Sequence, residues 1–178
     1  MNRCMWDSIL DAFPPKTHIE LNIGCPNISN MADISDFQLE RYIKKFDNLT
    51  VKVPPTIPTS YIESLWHMGI KRFHLSNTLP VHAYTDNGIL NYGVSGYPLK
   101  KKNLPFIERI KKLDMGGVSL IAGGGIYTPQ DVQDYHNAGA TDFSLSTIFF
   151  TPWKVSSVLD KINNIPSSKW GASSLYME

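Results

Sequence analysis

Cysteine is scarce in this sequence: Cys4 and Cys25 are the two among 178 residues. Two thiols cannot build a disulfide framework, so a reducing cytosol is the expected compartment. An excess of either charge is also lacking. Lys and Arg number 17 against 16 Asp and Glu, a formal net charge of +1. That balance argues against a surface that holds nucleic acid by neutralising phosphates. No apolar run reaches the roughly 18 residues of a membrane-spanning helix, and none is expected. The opening MNRCMWDSIL has neither the basic stretch nor the apolar core of a secretory leader. The five histidines show no metal-ligand spacing, so no metal site is expected. P-loop, C-x-x-C, G-x-S-x-G and G-x-G-x-x-G motifs are all absent. Hydrophobic residues at 42% and charged residues at 19% describe a globular chain. A single intracellular domain is expected.

What is present is an alternation of short apolar runs with amphipathic segments. Residues 18–23, 49–53, 71–76, 118–123 and 142–147 have strand length and composition. Ser35 with Gln38 and Ser60 with Glu63 read as capping boxes. Thr128-Pro129-Gln130-Asp131 combines a cap, a first-turn proline and a first-turn acid, and Gly139 is placed to end that helix. Asn103 reads as the opening of a helix through Phe106, Ile107, Ile110 and Leu113, and a last helix is expected over 153–163. The order β-α-β-α-β, long loop, α-β-α-β-α requires right-handed crossovers and a parallel sheet. Candidate functional residues recur at the carboxyl ends of the strands, which favours a TIM-type (β/α) barrel over a doubly wound sheet. A whole barrel needs eight βα units in about 250 residues. Five units are visible here, so the barrel is expected to be incomplete, without its leading strands. The resulting division is a leading helical segment over 1–16, a partial barrel over 17–163 and a tail over 164–178 that receives no assignment. The stretch from Leu79 to Lys102 reads as an active-site loop.

Three groups of residues could carry chemistry. Gly123-Gly124-Gly125 joins a strand to a capped helix, where backbone N–H groups can approach an anion closely. With the hydroxyls of Ser146 and Thr147 at the next strand end, it points to a phosphate-bearing ligand, since barrels place phosphate on the loops after their last strands. Lys52 lies inside a strand where alternation puts Val51 and Val53 on one face and the lysine on the barrel interior. A lysine there either meets an anion or strong acceptors or, with Pro54-Pro55 ending the strand, reaches solvent past its own stem; the strand-end location favours a ligand contact. Asn22-Ile23-Gly24-Cys25-Pro26-Asn27 sets two carboxamides around a thiol on a loop leaving a strand, and Asn77 with Thr78 ends another strand. Carboxamides both donate and accept, which suits a planar ring of alternating C=O and N–H groups such as a pyrimidine.

Taken in order, these segments resemble the dihydroorotate dehydrogenases. Asn22 to Asn27 match that family's N-x-[SG]-[CS]-P-N motif, and Val51 to Pro55 match V-K-[LVI]-[PS]-P. Ser76-Asn77-Thr78 and Gly93-Val94-Ser95-Gly96 match in part. Ile121 to Ile126, Ala138-Gly139-Ala140, Ser146-Thr147 and Phe149-Phe150 complete the series, which spans roughly residues 18–160. The resemblance implies an FMN-binding barrel in the cytoplasm that oxidises dihydroorotate to orotate. It implies Cys25 as the base that removes the C5 proton, with Asn22, Asn27, Asn77 and Thr78 holding the substrate. Lys52 would lie beside the flavin ring, and Ser95, Gly96, Gly124, Gly125, Ser146 and Thr147 would bind FMN. Cysteine at the base position is similar to the soluble class of the family. Expected partners are the small-molecule substrate and a second or complementing chain, with no nucleic acid and no membrane. Three alternatives stand beside this: a non-catalytic half-barrel that needs a partner chain, a tRNA dihydrouridine synthase-like flavin barrel, whose N-x-G-C-P motif Gly24 also matches, and a phosphate-binding barrel isomerase or synthase in which Cys25 is incidental.

Overall fold

The structure, a computed structural model, describes residues 8, 10–24, 39–86, 88–165 and 175–177. Its strands are β1 (Ile19–Asn22), β2 (Leu49–Val53), β3 (Arg72–Leu75), β4 (Leu79–Thr85), β5 (Gly88–Val94), β6 (Ser119–Gly123), β7 (Asp142–Leu145) and β8 (Leu175–Met177). The helices are α1 (Leu39–Lys45), α2 (Thr59–His67), α3 (Tyr97–Lys111), α4 (Pro129–Ala138) and α5 (Val155–Asn163). Six strands form one sheet in the order β1-β2-β3-β6-β7-β8, every pair parallel. Apart from the β4–β5 hairpin, each strand lies beside the one before it in the chain. That order belongs to a barrel wall; a doubly wound sheet reverses direction at its switch point. The result is a half-barrel with helices on its convex side.

Strand alternation divides the sheet chemically. Leu21, Val51, Val53, Phe73, Leu75, Leu120, Ala122, Phe143 and Leu145 form a buried apolar layer. Ile62 and Leu65 of α2, Phe106, Ile107 and Ile110 of α3, Val132 of α4 and Val158 and Ile162 of α5 pack against it. Each such side chain contributes about 1.5–3 kcal/mol when fully buried. The alternate positions are largely polar: Glu20, Asn22, Thr50, Lys52, Arg72, His74, Ser119, Asp142 and Ser144. These face the concave side.

Helix α4 follows its sequence signals closely. Thr128 accepts from the Asp131 N–H at 3.2 Å, Asp131 accepts from the Thr128 N–H at 2.8 Å, and Gly139 ends the helix at φ 118°. Lys100 on α3 reaches across to Asp131 and Asp134 on α4, at 2.6 Å for Asp134. Burial of Asp131 works against its charge, but hydrogen bonds from Lys100, Tyr127 and Thr128 hold its carboxyl below the usual carboxylate range.

Other elements depart from the sequence reading. Helix α3 begins at Tyr97, not Asn103: Gly96 turns the chain at φ 79° and Pro98 sits in the first turn, leaving Asn103 fully buried in the helix interior. Helix α2 begins after Pro58, which is extended and makes no side-chain cap; Ser60 already lies inside the helix and cannot cap it. The stretch read as a loop from Leu79 forms the β4–β5 hairpin, which exposes Tyr84, Ile89 and Tyr92. The tail supplies β8, a sixth strand that three residues of sequence did not reveal. The Ser35–Gln38 box and Cys4 lie outside the described residues. Removing the Thr128 hydroxyl should test the capping argument. Thr128→Ala is expected to lower stability by about 1 kcal/mol and Thr128→Ser by much less, read as urea midpoints at unchanged slope. Equal midpoints for wild type and Thr128→Ala would refute it.

Candidate functional site

The carboxyl ends of β2, β3, β6 and β7 surround a cleft. Lys52, Asn77 and Thr78 line one side; Ser95 and Gly96, Gly124 and Gly125, and Ser146 and Thr147 line the other. His74, Ser76, Gly123 and Ser144 also line it. Asn22 stands at the edge, and its Oδ1 accepts a hydrogen bond from Asn77 Nδ2 at 2.9 Å. Asn77 Nδ2 also donates to the Gly24 carbonyl at 2.9 Å, and its Oδ1 accepts from the Thr78 N–H at 2.9 Å. The two carboxamides therefore fix each other and the Gly24 carbonyl, the last described group before Cys25 in the sequence. Cys25 and Asn27 themselves lie outside the described residues.

Lys52 enters from β2, where Val51 and Val53 are fully buried on the helix side and force the lysine onto the concave face. Its Nζ lies 3.5 Å from Glu20 Oε1, and Glu20 Oε2 lies 2.9 Å from Nδ1 of the buried His74. Register explains the meeting, since Lys52 pairs with His74 across β2 and β3 and Glu20 pairs with Thr50 across β1 and β2. Partial burial of Glu20 disfavours its charge. The hydrogen bond from His74 and the charges of His74 and Lys52 prevail, and hold the carboxyl below its ordinary range. An ionised carboxylate only accepts, so the imidazole donates from Nδ1 and turns Nε2 toward Gly123. A Cβ on Gly123 would lie 2.8 Å from that Nε2.

At the other end three loops close together. Gly124 and Gly125 stand at φ 81° and 77°, conformations that disfavour any side chain. A Cβ on Gly125 would lie 3.1 Å from the carbonyls of Gly96 and Tyr97, and one on Gly96 would lie 3.0 Å from the Tyr127 hydroxyl. That hydroxyl donates to Thr147 Oγ1 at 2.7 Å. Glycine is required at these points because the loops approach within contact distance. The cleft can thus hold an anion among N–H and hydroxyl donors at one end. It can hold a planar polar ring at the Asn77 end, with an ammonium nearby. Among the described residues, no group of three His, Cys, Asp or Glu side chains could hold a metal ion.

Glu20, His74, Asn103, Tyr127 and Tyr135 belong to this region and were not singled out as site residues from sequence. For Glu20 and His74 a signal existed: each lies two residues before a motif residue, Asn22 at the end of β1 and Ser76 just past the end of β3. Asn103, Tyr127 and Tyr135 had none, since helix and loop positions gain their meaning from what they pack against.

Known proteins match this chain as follows. The sequence profile of the family described as Dihydroorotate dehydrogenase matches residues 10–165. A dihydroorotate dehydrogenase (quinone) of Prochlorococcus marinus is 25% identical over 171 residues, covering 83% of this chain and 43% of that protein. The protein of the same name from Pseudarthrobacter chlorophenolicus is 51% identical over 49 residues, 28% of this chain and 14% of its own. Among solved structures, the Eimeria tenella enzyme in complex with ferulenol is similar with a TM-score of 0.62 at 20% identity, covering 83% of this chain and 49% of that one. The ligand-free form of the Eimeria enzyme gives the same score with 51% of its length covered. The chain therefore spans about half the length of these solved relatives or less of the curated ones. Among the described residues, no helix is long and apolar enough to cross a membrane.

The Glu20 contacts predict a pH signature. A carboxyl with a lowered folded-state pKa adds stability above its unfolded value of 4.5, and that stability is lost as pH falls through the folded value. Wild type should exceed Glu20→Gln in stability at neutral pH, and the gap should close as the solution is acidified below about pH 4.5. A gap independent of pH, measured by urea unfolding across that range, would show that the pairing contributes nothing.

Proposed function

The chain belongs to the dihydroorotate dehydrogenase family, and on that premise we propose that it binds FMN and oxidises dihydroorotate to orotate, a step of pyrimidine synthesis. The observation that carries this reading is the convergence of Lys52, Asn77, Thr78, the glycine loop and Ser146-Thr147 on one cleft. The residues fit the cofactor. Gly124 and Gly125 let the loop close against the start of α3, where a Cβ would meet Leu99, Lys100 and the Gly96 and Tyr97 carbonyls, and their backbone N–H groups, the hydroxyls of Ser146 and Thr147 and the Ser95-Gly96 turn make up the donor set. When bound, FMN supplies a two-electron acceptor for the hydride that leaves C6 of the substrate.

The chain's own residues do the rest. Asn22, Asn27, Asn77 and Thr78 hold the pyrimidine ring, with Asn77 already oriented by Asn22 and the Gly24 carbonyl. Cys25, next in sequence to Gly24, takes the C5 proton as a thiolate. An ordinary thiol is only partly ionised at neutral pH, so the base requires a depressed pKa. The Lys52 ammonium stabilises negative charge that develops at the ring beside it. Its neighbour Glu20 offsets part of that field and keeps the amine in place.

Cys25 supports the soluble class of the family and a cytoplasmic location. The curated relatives carry the quinone acceptor in their names, so the acceptor is the point on which this chain is proposed to differ. A partner, either a second copy or a complementing chain, is part of the proposal. It rests on the edges of the half-barrel at β1 and β8, which pair with no further strand among the described residues, and on the exposed Tyr84, Ile89 and Tyr92 of the hairpin.

Titration of the purified chain with FMN should quench flavin fluorescence, and anaerobic dihydroorotate should then bleach the oxidised-flavin absorbance. Cys25→Ala should slow bleaching by about 10²–10⁴-fold with FMN affinity unchanged. A chain that takes up no FMN, or a Cys25→Ala variant that bleaches at the wild-type rate, would overturn the reading.

A further inference from the structure

Building on the flavin reading above, we propose that Asn103 and Tyr135 are positioning residues that aim the N–H groups of Gly124 and Gly125 into the cleft, forming a preset cradle for the phosphate of FMN. Asn103 Nδ2 donates to the Gly123 carbonyl at 2.7 Å. The Tyr135 hydroxyl donates to the Gly124 carbonyl at 2.7 Å, with the Gly123 carbonyl 3.3 Å away. Two consecutive carbonyls are thus drawn back toward α3 and α4. The described chain has no cis peptide bonds, and in a planar trans peptide the N–H points opposite the C=O. The N–H of Gly124 follows the first carbonyl and that of Gly125 the second, so both are turned away from the two helices. Both residues line the cleft on that side.

Glycine permits this arrangement and the two side chains impose it. Positive φ at both positions lets the carbonyls turn back without a Cβ in the way. Without the clamp, the same freedom would let the loop rotate its donors out of the cleft. Successive N–H groups held in such a concavity bind anions well.

Two features set this apart from ordinary packing. Asn103 is fully buried and its Oδ1 has no hydrogen-bond partner, a cost that an apolar side chain in the helix would avoid. The same amide also donates to Ser76 Oγ at 3.2 Å, so one side chain ties the glycine loop to the strand end that carries Asn77. Burial pushes the Tyr135 phenol well above its ordinary range, which keeps it a donor at every working pH.

The test compares FMN, riboflavin and inorganic phosphate as ligands of the full chain by calorimetric titration, for wild type, Tyr135→Phe and Asn103→Leu. Riboflavin lacks the phosphate, so the FMN-to-riboflavin affinity ratio reads the cradle alone. Wild type should favour FMN by more than about tenfold. Each variant should cut that ratio by about tenfold and weaken phosphate similarly, with riboflavin affinity unchanged. A ratio unchanged in Tyr135→Phe would overturn the clamp. This variant removes one oxygen and decides the matter even if Asn103→Leu fails to fold. Wild type that binds both flavins equally would also overturn the cradle while leaving the flavin reading intact. Binding of phosphate alone, lost in the variants, would keep the cradle and refute the flavin. Binding of none of the three would refute both.

Discussion

A residue in a parallel strand has its neighbours on the opposite face, and this two-residue repeat governs everything else in the molecule. Once Val51 and Val53 are committed to the helix-side core, Lys52 has nowhere to go but the concave side. The same holds for His74 between Phe73 and Leu75, and for Glu20 beside Leu21. Burial of the apolar set, at about 1.5–3 kcal/mol per side chain, greatly exceeds anything gained by the polar set. The core therefore places the polar residues, and the polar residues then organise themselves through the Glu20 carboxylate that touches both Lys52 and His74.

The carboxyl ends of the strands add a second constraint. Each strand there must turn into a loop, and those loops lie close enough to leave no room for side chains at Gly96 and Gly125. Closeness of this kind brings backbone donors together, and backbone donors need external restraint to be useful. Thr147 is held by Tyr127, Asn77 by Asn22, and the carbonyls of the glycine loop by Asn103 and Tyr135. Few of these contacts add much stability on their own. Their effect is to fix direction, and binding a ligand with phosphate at one end and a ring at the other depends on direction.

The half-barrel was legible because its evidence is local: apolar runs of strand length, the Thr128–Asp131 box and the Gly139 stop each depend on residues a few positions apart. So were Lys52, Asn77 and the Gly124-Gly125 turn, which combine a residue type with a strand end. Reading failed where a local signal competed with a stronger neighbour. Asn103 has the composition of a helix cap, but Gly96 and Pro98 start the helix earlier and leave it inside. Ser60 was displaced as a cap by Pro58 in the same way.

What the amino-acid order determined unaided is the alternation of strands and helices, the face each strand residue occupies, and the candidates that share a strand end. Those follow from periods of two and 3.6 residues, which any short segment carries within itself. Only the folded chain decided that β8 joins β7, that Glu20 lies between Lys52 and His74, and that Asn103 and Tyr135 grip the glycine loop. Each of these joins residues from separate segments, and their distances are set by strand register and helix docking, which no single segment encodes.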